Sequence, residues 1–212
     1  MNVQKRIGIL VIVLIFVVII LLWLIPALSN TYTYTNPSGE KFTFTKSRIG
    51  DLTMHTLTAY ATYRDDNTKK NYQYAIPLRN GPKSLENIQV QKNINNKILN
   101  KKYIYITLDP NLKGEAVIAS IEIAKVLGES DYGVFKIPTQ GALTYATNKT
   151  NSTQVPIINC NNANKDIGVI WLKLSKENKI YSNKECVILE AIDYKNLIME
   201  ADRLVYNLLG IM

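Results

Sequence analysis

The chain has 212 residues, a formal net charge of +8 at pH 7 and only two cysteines. Hydrophobic residues make up 47% of it, a fraction typical of globular proteins that argues against intrinsic disorder. The excess positive charge comes from scattered lysines without an aromatic-and-basic repeat, so we predict no nucleic-acid partner.

The most informative segment is an uninterrupted apolar run over residues 7–25 (IGILVIVLIFVVIILLWLI). A helix of this length spans roughly 28 Å, close to the hydrocarbon thickness of a bilayer. Lys5 and Arg6 precede the run, so the positive-inside rule keeps the N-terminus in the cytoplasm. We therefore predict a cytoplasmic tip and transmembrane anchor over residues 1–28. The lipid bilayer is its partner through residues 7–25, and the C-terminal domain lies outside the cytoplasm.

The alternative to an anchor is a cleaved signal peptide. Ala27 and Ser29 have the spacing of a small-residue cleavage site. The apolar core of a signal peptide is usually about 7–15 residues, however, and this run is longer. A buried helix of a water-soluble domain is disfavoured because the run has no polar face. The anchor is the interpretation that the sequence favours.

Residues 29–83 show the alternation that predicts β-strands. Aromatic residues alternate with threonine before and after the turn residues 36–39 (NPSG), and alternation returns over residues 52–63 and 72–78. We predict a β-rich subregion of antiparallel strands. The only histidine, His55, lies within the second run and is interpreted as structural, so no metal site is predicted.

Residues 84–102 form a basic connector that is predicted to be partly helical. Its lysines include Lys92, Lys97, Lys101 and Lys102, opposed only by Glu86 in the stretch after Lys83. A basic face of this kind could dock anionic lipid or acidic envelope polymers. The alternative is a solvated lysine-rich surface without a specific partner.

Residues 103–212 are predicted to form an α/β domain. A strand over 103–108, a helix over 114–127 and a strand over 132–137 make a βαβ unit, which implies two parallel strands. Apolar runs over 169–174 and 186–190 extend the sheet, and an amphipathic helix capped by Asp193 ends the chain. The predicted fold class is α/β (α+β), with an N-terminal transmembrane helix, an antiparallel subregion and a mixed sheet.

A ligand site is predicted at the loop of residues 109–115. Ligands of open α/β sheets bind beyond the carboxyl ends of the strands, where helix N-termini offer free amides. Residues 137–144 come after the second predicted strand and should lie at the same edge. The candidate ligand-binding residues are Asp109, Asn111, Lys113, Gly114, Glu115, Thr139 and Thr144.

The alternative for both segments is an ordinary connector. The chain has no Walker pattern, no GxGxxG fingerprint and no Gly-x-Ser-x-Gly elbow. We therefore assign no catalytic residue and no cofactor. Whether the protein is an enzyme stays open, and the sequence favours a protein that is not.

Two sequence features bear on the compartment. Cys160 and Cys186 are predicted to form a disulfide that closes a loop of about 27 residues, and the alternative is two buried thiols. Asn148 and Asn151 each begin an Asn-x-Ser/Thr acceptor pattern in a polar stretch. They are predicted glycosylation sites, although chance matches are expected in a chain this rich in asparagine and threonine.

The segments YIYITLDP and GALT and the ending EADRLVYNLLGIM resemble parts of uncharacterised archaeal single-pass membrane-anchored proteins with an exported α/β domain. The similarity covers roughly residues 103–212, and a looser similarity extends to the small α/β units of archaeal surface-layer proteins. The resemblance implies a role in the cell envelope and assigns no catalytic residue.

Together these observations predict a membrane-anchored extracytoplasmic binding or structural component of the cell envelope. Envelope proteins or polysaccharide are its expected partners. One alternative is a membrane-tethered enzyme acting on an anionic or sugar substrate at the 109–115 loop. Another is an accessory subunit of a membrane complex.

Overall fold

A computed structural model describes residues 13–19, 30–65, 68–129, 133–147 and 155–212. Contacts divide the chain into two compact units, Met1–Thr31 and Tyr32–Met212. Residues 13–19 are helical and their apolar side chains are exposed, while the rest of the predicted anchor lies outside the described residues. Within the described ranges, no helix is both long and apolar enough to cross a membrane.

The first sheet has four strands in the order β1-β2-β3-β4. Strands β2 and β3 pair antiparallel, as do β3 and β4, and the predicted antiparallel β structure is confirmed. The alternation of large and small residues buries Phe44, Leu57 and Ile76 on one side. The strand bounds are Thr31–Thr35, Lys41–Ile49, Leu52–Asp65 and Thr68–Leu78.

Strand β3 is longer than its neighbour β2, and the two separate before β3 ends. The β2–β3 pairing stops at Phe44 opposite Leu57, whereas β3 and β4 stay paired as far as Asp65 opposite Thr68. The far half of the β3–β4 hairpin therefore extends past β2. Tyr60 lies on this part and is 74% exposed.

The second sheet has five strands in the order β6-β5-β7-β9-β8. Strands β6, β5, β7 and β9 run parallel, and β8 is antiparallel to β9, which confirms the predicted mixed sheet. The neighbours β5 and β6 are joined through the helix Gly114–Leu127 and form the predicted βαβ unit. The bounds of β5 to β9 are Tyr103–Leu108, Thr139–Leu143, Ile167–Leu174, Lys179–Asn183 and Cys186–Ala191.

After the helical residues 13–19, the structure describes the α-helices α1 (Ile94–Leu99), α2 (Gly114–Leu127) and α3 (Tyr194–Leu208). The Asp193 carboxylate accepts a hydrogen bond from the Asn196 amide at 2.7 Å, so it caps α3 as predicted. Short 3₁₀ turns occur at Pro82–Leu85 and Cys160–Asn162.

The two sheets share one hydrophobic core. Helices α2 and α3 contact each other and cover one face of the five-stranded sheet. The apolar side of the four-stranded sheet joins the same cluster, and the Phe44 ring meets the Tyr206 ring of α3 edge-on at 5.8 Å. Val117 and Ile121 lie on the outer side of α2 and are 47% and 55% exposed.

The strand predicted over 132–137 is wrong in position. The amides of Val134 and Phe135 donate to the Val126 carbonyl at 2.9 and 3.2 Å, and that of Ile137 donates to Leu127 at 2.8 Å. These bonds satisfy the last carbonyls of α2, so the apolar segment ends the helix instead of joining the sheet. The strand begins two residues later, at Thr139. The sequence analysis also missed the edge strand β8.

A buried polar cluster ties the end of β4 to α3. Asp202 is 0% exposed, and its Oδ2 accepts hydrogen bonds from the Asn80 amide and from Asn80 Nδ2, both at 2.8 Å. The Tyr206 hydroxyl donates to the Asn80 carbonyl at 2.8 Å. Burial, reinforced by the nearby Glu122 charge, raises the pKa of Asp202.

Helix α2 adds a second set of bonds to the same stretch. Arg79 Nε donates to Glu122 at 3.2 Å, and Lys125 Nζ donates both to Glu122 and to the Pro77 carbonyl. Residues 77–80 are therefore held by both helices.

We expect Asp202→Ala to lower the free energy of unfolding by about 2–4 kcal/mol, because the two donors of Asn80 lose their buried acceptor. Chemical denaturation measures the change. Lys195→Ala, at an exposed position of the same helix, is the control and should change stability by less than about 0.5 kcal/mol. Equal stabilities for the two variants would contradict the assigned role.

Glu200 is a second buried acid on α3. It is 0% exposed, and its burial raises its pKa to about 9, although the Lys179 backbone acts in the opposite direction. The carboxyl group therefore stays protonated in the folded protein while the unfolded chain ionises it above pH 4.5. The native state binds more protons than the unfolded state in this window, so rising pH lowers stability between pH 4.5 and about 9.

Glu200→Gln should remove this pH dependence, because glutamine resembles the protonated acid at every pH. We expect wild type and variant to have similar stability at about pH 4 and the variant to be more stable by at least about 2 kcal/mol at pH 8. Urea denaturation at several pH values tests this. Glu129→Gln at an exposed position is the control. Parallel pH profiles for wild type and Glu200→Gln would refute the assignment.

Candidate functional site

The predicted loop after β5 is braced by its own side chains. Asp109 Oδ1 accepts hydrogen bonds from the Asn111 amide at 2.9 Å and from the Tyr145 hydroxyl at 2.8 Å. Asn111 Nδ2 donates to the same hydroxyl at 2.5 Å. The bond to Asp109 raises the pKa of Tyr145. The side chains of Asp109 and Asn111, two of the predicted ligand-binding residues, thus stabilise the turn.

The other residues of this loop lie at the exposed start of α2. Lys113 precedes the helix, and its amide donates to the Tyr194 hydroxyl at 3.2 Å. Gly114 is the first helical residue, and Glu115 borders a cavity of about 490 Å³ between the β2–β3 turn and the start of α3.

The two candidate threonines lie at opposite ends of the strand β6. The Thr144 amide donates to the Leu108 carbonyl at 2.9 Å, which places it beside Asp109. Thr139 is opposite Ile104 at the other end of the ladder, about 16 Å away along the strand. The expectation that Thr139 shares the edge is therefore wrong, because β6 begins at this residue and does not end before it.

The predicted disulfide is confirmed. Cys160 and Cys186 are bonded, with their Cα atoms 5.2 Å apart. The bond lies on the face of the five-stranded sheet that α2 and α3 do not cover. A small second cluster packs there, with members from β7, β8, β9 and the segment before β7. Asn148 and Asn151, the predicted glycosylation sites, lie outside the described residues.

Residues 155–163, here called the crossing segment, cover this face without an α-helix. Ile157 pairs with Leu143 at the edge of the sheet, and the Ile158 carbonyl accepts a hydrogen bond from the buried Thr107 hydroxyl at 2.6 Å. The disulfide then joins the segment to the first residue of β9. One covalent bond and a few hydrogen bonds therefore fix this part of the fold.

Replacing both cysteines by serine should lower the free energy of unfolding by about 2–4 kcal/mol, because the unfolded chain loses a constraint across a separation of 26 residues. Chemical denaturation of the oxidised wild type and of Cys160→Ser/Cys186→Ser measures the loss. Reductant should lower the stability of the wild type and leave the variant unchanged. No difference between the oxidised proteins would contradict this prediction.

Lysines of the basic connector are engaged in ion pairs. Lys101 is only 7% exposed, and its Nζ donates to the Asn164 carbonyl and to Glu185, both at 2.6 Å. Lys97 also pairs with Glu185, at 3.2 Å. Lys102 pairs with Asp166 at 3.0 Å on the surface. This part of the connector ties strand ends together.

His55 is half-buried and has structural partners. The Tyr32 hydroxyl forms a 2.7 Å hydrogen bond with His55 Nδ1, and the two rings meet edge-on. A Cβ added at Gly81 would lie 2.8 Å from that hydroxyl and 2.9 Å from Nδ1, so a larger residue there would have to displace the pair. Burial, and then Lys46, lowers the pKa of His55.

One cavity, which we call the groove, opens where β2 and β3 separate. It has a volume of about 730 Å³. Four segments line it: the start of β2, the middle of β3 with its β4 neighbour, the segment that ends α2, and the end of the chain. The lining residues are Lys41, Phe42, Thr43, Leu57, Thr58, Ala59, Tyr60, Gln73, Val134, Phe135, Leu208, Leu209 and Ile211.

The groove combines an apolar floor with a polar rim. Leu57, Leu208 and Ile211 are buried beneath it, whereas Lys41 and Tyr60 are exposed at its rim. Lys41 is the sole charged residue among the described residues that line the groove. The arrangement provides apolar contact area, one cation and strand edges, and among the described residues no group of histidine, cysteine or acidic side chains is placed to hold a metal.

Sequence analysis did not identify the groove, because its walls come from four distant segments. The one local signal is the unequal length of the neighbouring strands, nine residues in β2 and fourteen in β3. A strand that outruns its partner leaves an edge unpaired.

Comparison with protein-family models, curated proteins and solved structures finds no match to this chain.

Proposed function

We propose that this chain is a membrane-anchored, extracytoplasmic binding component of the cell envelope. The observation that carries the proposal is the bond between Cys160 and Cys186. Disulfides form and persist in oxidising compartments and are rare in the cytoplasm. The apolar run of residues 7–25 supplies the means of attachment, and Lys5 and Arg6 before it favour export of the residues on its C-terminal side.

The groove supports a binding role better than the 109–115 loop supports an enzyme. In the loop, Asp109 and Asn111 form hydrogen bonds with Tyr145 and brace a turn. The groove instead presents apolar surface beneath an exposed rim, as ligand sites commonly do. We therefore favour capture of a partner over a chemical reaction as the task of this domain.

Topology is tested with one cysteine on each side of the membrane. In the Cys160→Ser/Cys186→Ser background, Lys176→Cys lies in the exposed turn between β7 and β8, and Asn2→Cys lies before the apolar run. A maleimide that cannot cross membranes should label Lys176→Cys on intact cells. It should label Asn2→Cys, in the membrane fraction, only after lysis. The opposite pattern would place the domain in the cytoplasm and refute the proposal.

A non-reduced peptide map of the native protein gives an independent test. We expect a linked Cys160–Cys186 peptide together with a retained N-terminal peptide. Added mass at Asn148 or Asn151 would be a further mark of export. Free thiols in freshly alkylated protein would contradict the proposed compartment.

A further inference from the structure

We infer that the groove binds an extended polypeptide segment that pairs with the open edge of β3 and carries an acidic residue beside Lys41. The inference deepens the proposed binding function and rests on it.

In the described part of the chain, the edge of β3 that faces the groove is unpaired after Leu57. Among the described residues, the part of β3 after Leu57 has a strand partner in β4 alone. In an antiparallel pair, alternate backbone amides and carbonyls point away from the partner. Those groups of residues 58–65 therefore point to the side that β2 has left. Such an edge is a template on which another extended chain can form main-chain hydrogen bonds.

The two edges of the β3–β4 hairpin differ in residue types. The outer edge strand β4 contains Lys69, Lys70 and Pro77, residue types that discourage pairing with another chain. Residues 58–63 of β3 read TAYATY and contain no charge, proline or glycine. The β3 edge lacks this protection over residues 58–63 and carries charges only at its end, at Arg64 and Asp65, which indicates that residues 58–63 serve to accept a strand.

The residues that line the groove are complementary to an apolar segment with one acidic side chain. Side chains of an added strand alternate between the two faces of the sheet, so every second one would meet the apolar floor near Phe135 and Leu209. Lys41 is exposed at the rim. The Nζ atom of Lys136, the residue after Phe135, lies 5.9 Å from the centre of the Tyr74 ring. No acidic side chain is among the described lining residues. The groove therefore favours a segment with alternating apolar residues and a carboxylate.

A lipid chain fits the groove less well than a polypeptide does. Unpaired amides and carbonyls along β3 would face hydrocarbon, where each unsatisfied group costs several kcal/mol. A polypeptide strand satisfies the same groups with hydrogen bonds. We therefore commit to a polypeptide as the occupant.

The test uses the full chain in phosphatidylcholine nanodiscs. The probe is a fluorescein-labelled peptide, Glu-Val-Thr-Val-Thr-Val, and fluorescence anisotropy gives its Kd. Two further probes carry N-methyl groups on alternate amides, one in each register. We expect one of the two registers to weaken binding about tenfold or more, because it removes the amides that face β3. Equal binding of all three peptides would overturn the strand-addition geometry.

Three variants locate the site. Ala59→Trp fills the groove and should abolish binding, whereas Ala75→Trp, at the exposed β4 position opposite Thr58, should leave it unchanged. Lys41→Glu should weaken binding of the acidic probe about fivefold, and a probe with lysine in place of glutamate should recover the loss. Equal binding by Ala59→Trp and Ala75→Trp would overturn the assignment to the groove.

Hydrogen exchange supplies a readout that a purely structural role of Ala59 would not change. In the wild type, alternate amides of residues 58–63 should exchange more slowly once the peptide is bound. Unchanged exchange, or no measurable binding at millimolar peptide, would refute the inference. Binding of phosphatidylglycerol vesicles that Ala59→Trp abolishes would assign the groove to lipid and also refute it. The topology labelling is independent of these results, so failure here leaves the proposed location of the domain standing.

Discussion

The hydrogen bonds between Asn80 and Asp202 are the interaction on which the architecture depends. Two antiparallel strands alone are marginally stable in water, and the β3–β4 hairpin gains its support where its last residues meet α2 and α3. Because the carboxylate of Asp202 is fully buried, leaving its partner unmatched would be costly. The cluster therefore fixes where the first sheet meets the helices that cover the second.

This attachment also explains why the groove exists. Strand β4 is held by both helices, and β3 stays paired with it along its whole length. The pairing of β2 with β3 stops at Phe44, and the start of β2 follows the turn of residues 36–40 that joins it to β1. The two hairpins therefore separate above a floor built from the end of α3. The opening is a consequence of which strand the helices hold.

The sequence was sufficient for features that local patterns encode. The alternating threonines and aromatics identified the first sheet, the apolar stripe after Asp193 identified α3, and the cysteine pair identified the disulfide. It failed where distant partners decide the structure. Residues 134–137 look like a strand, but the carbonyls at the end of α2 take up their amides. Likewise, the sequence around Lys101 indicates a surface lysine, but in the structure its Nζ donates to the Asn164 carbonyl and to Glu185.

Because a disulfide secures the crossing segment, the complete fold depends on the redox state of the compartment in which the chain folds. On one face of the five-stranded sheet the cover is a pair of helices that contains no disulfide. On the other face the cover is a short irregular stretch that a single oxidised bond secures. A chain kept in a reducing compartment would have a loosely covered sheet, and proteases find such segments readily. Resistance of the folded chain to proteolysis thereby depends on the oxidation of one pair of sulfur atoms.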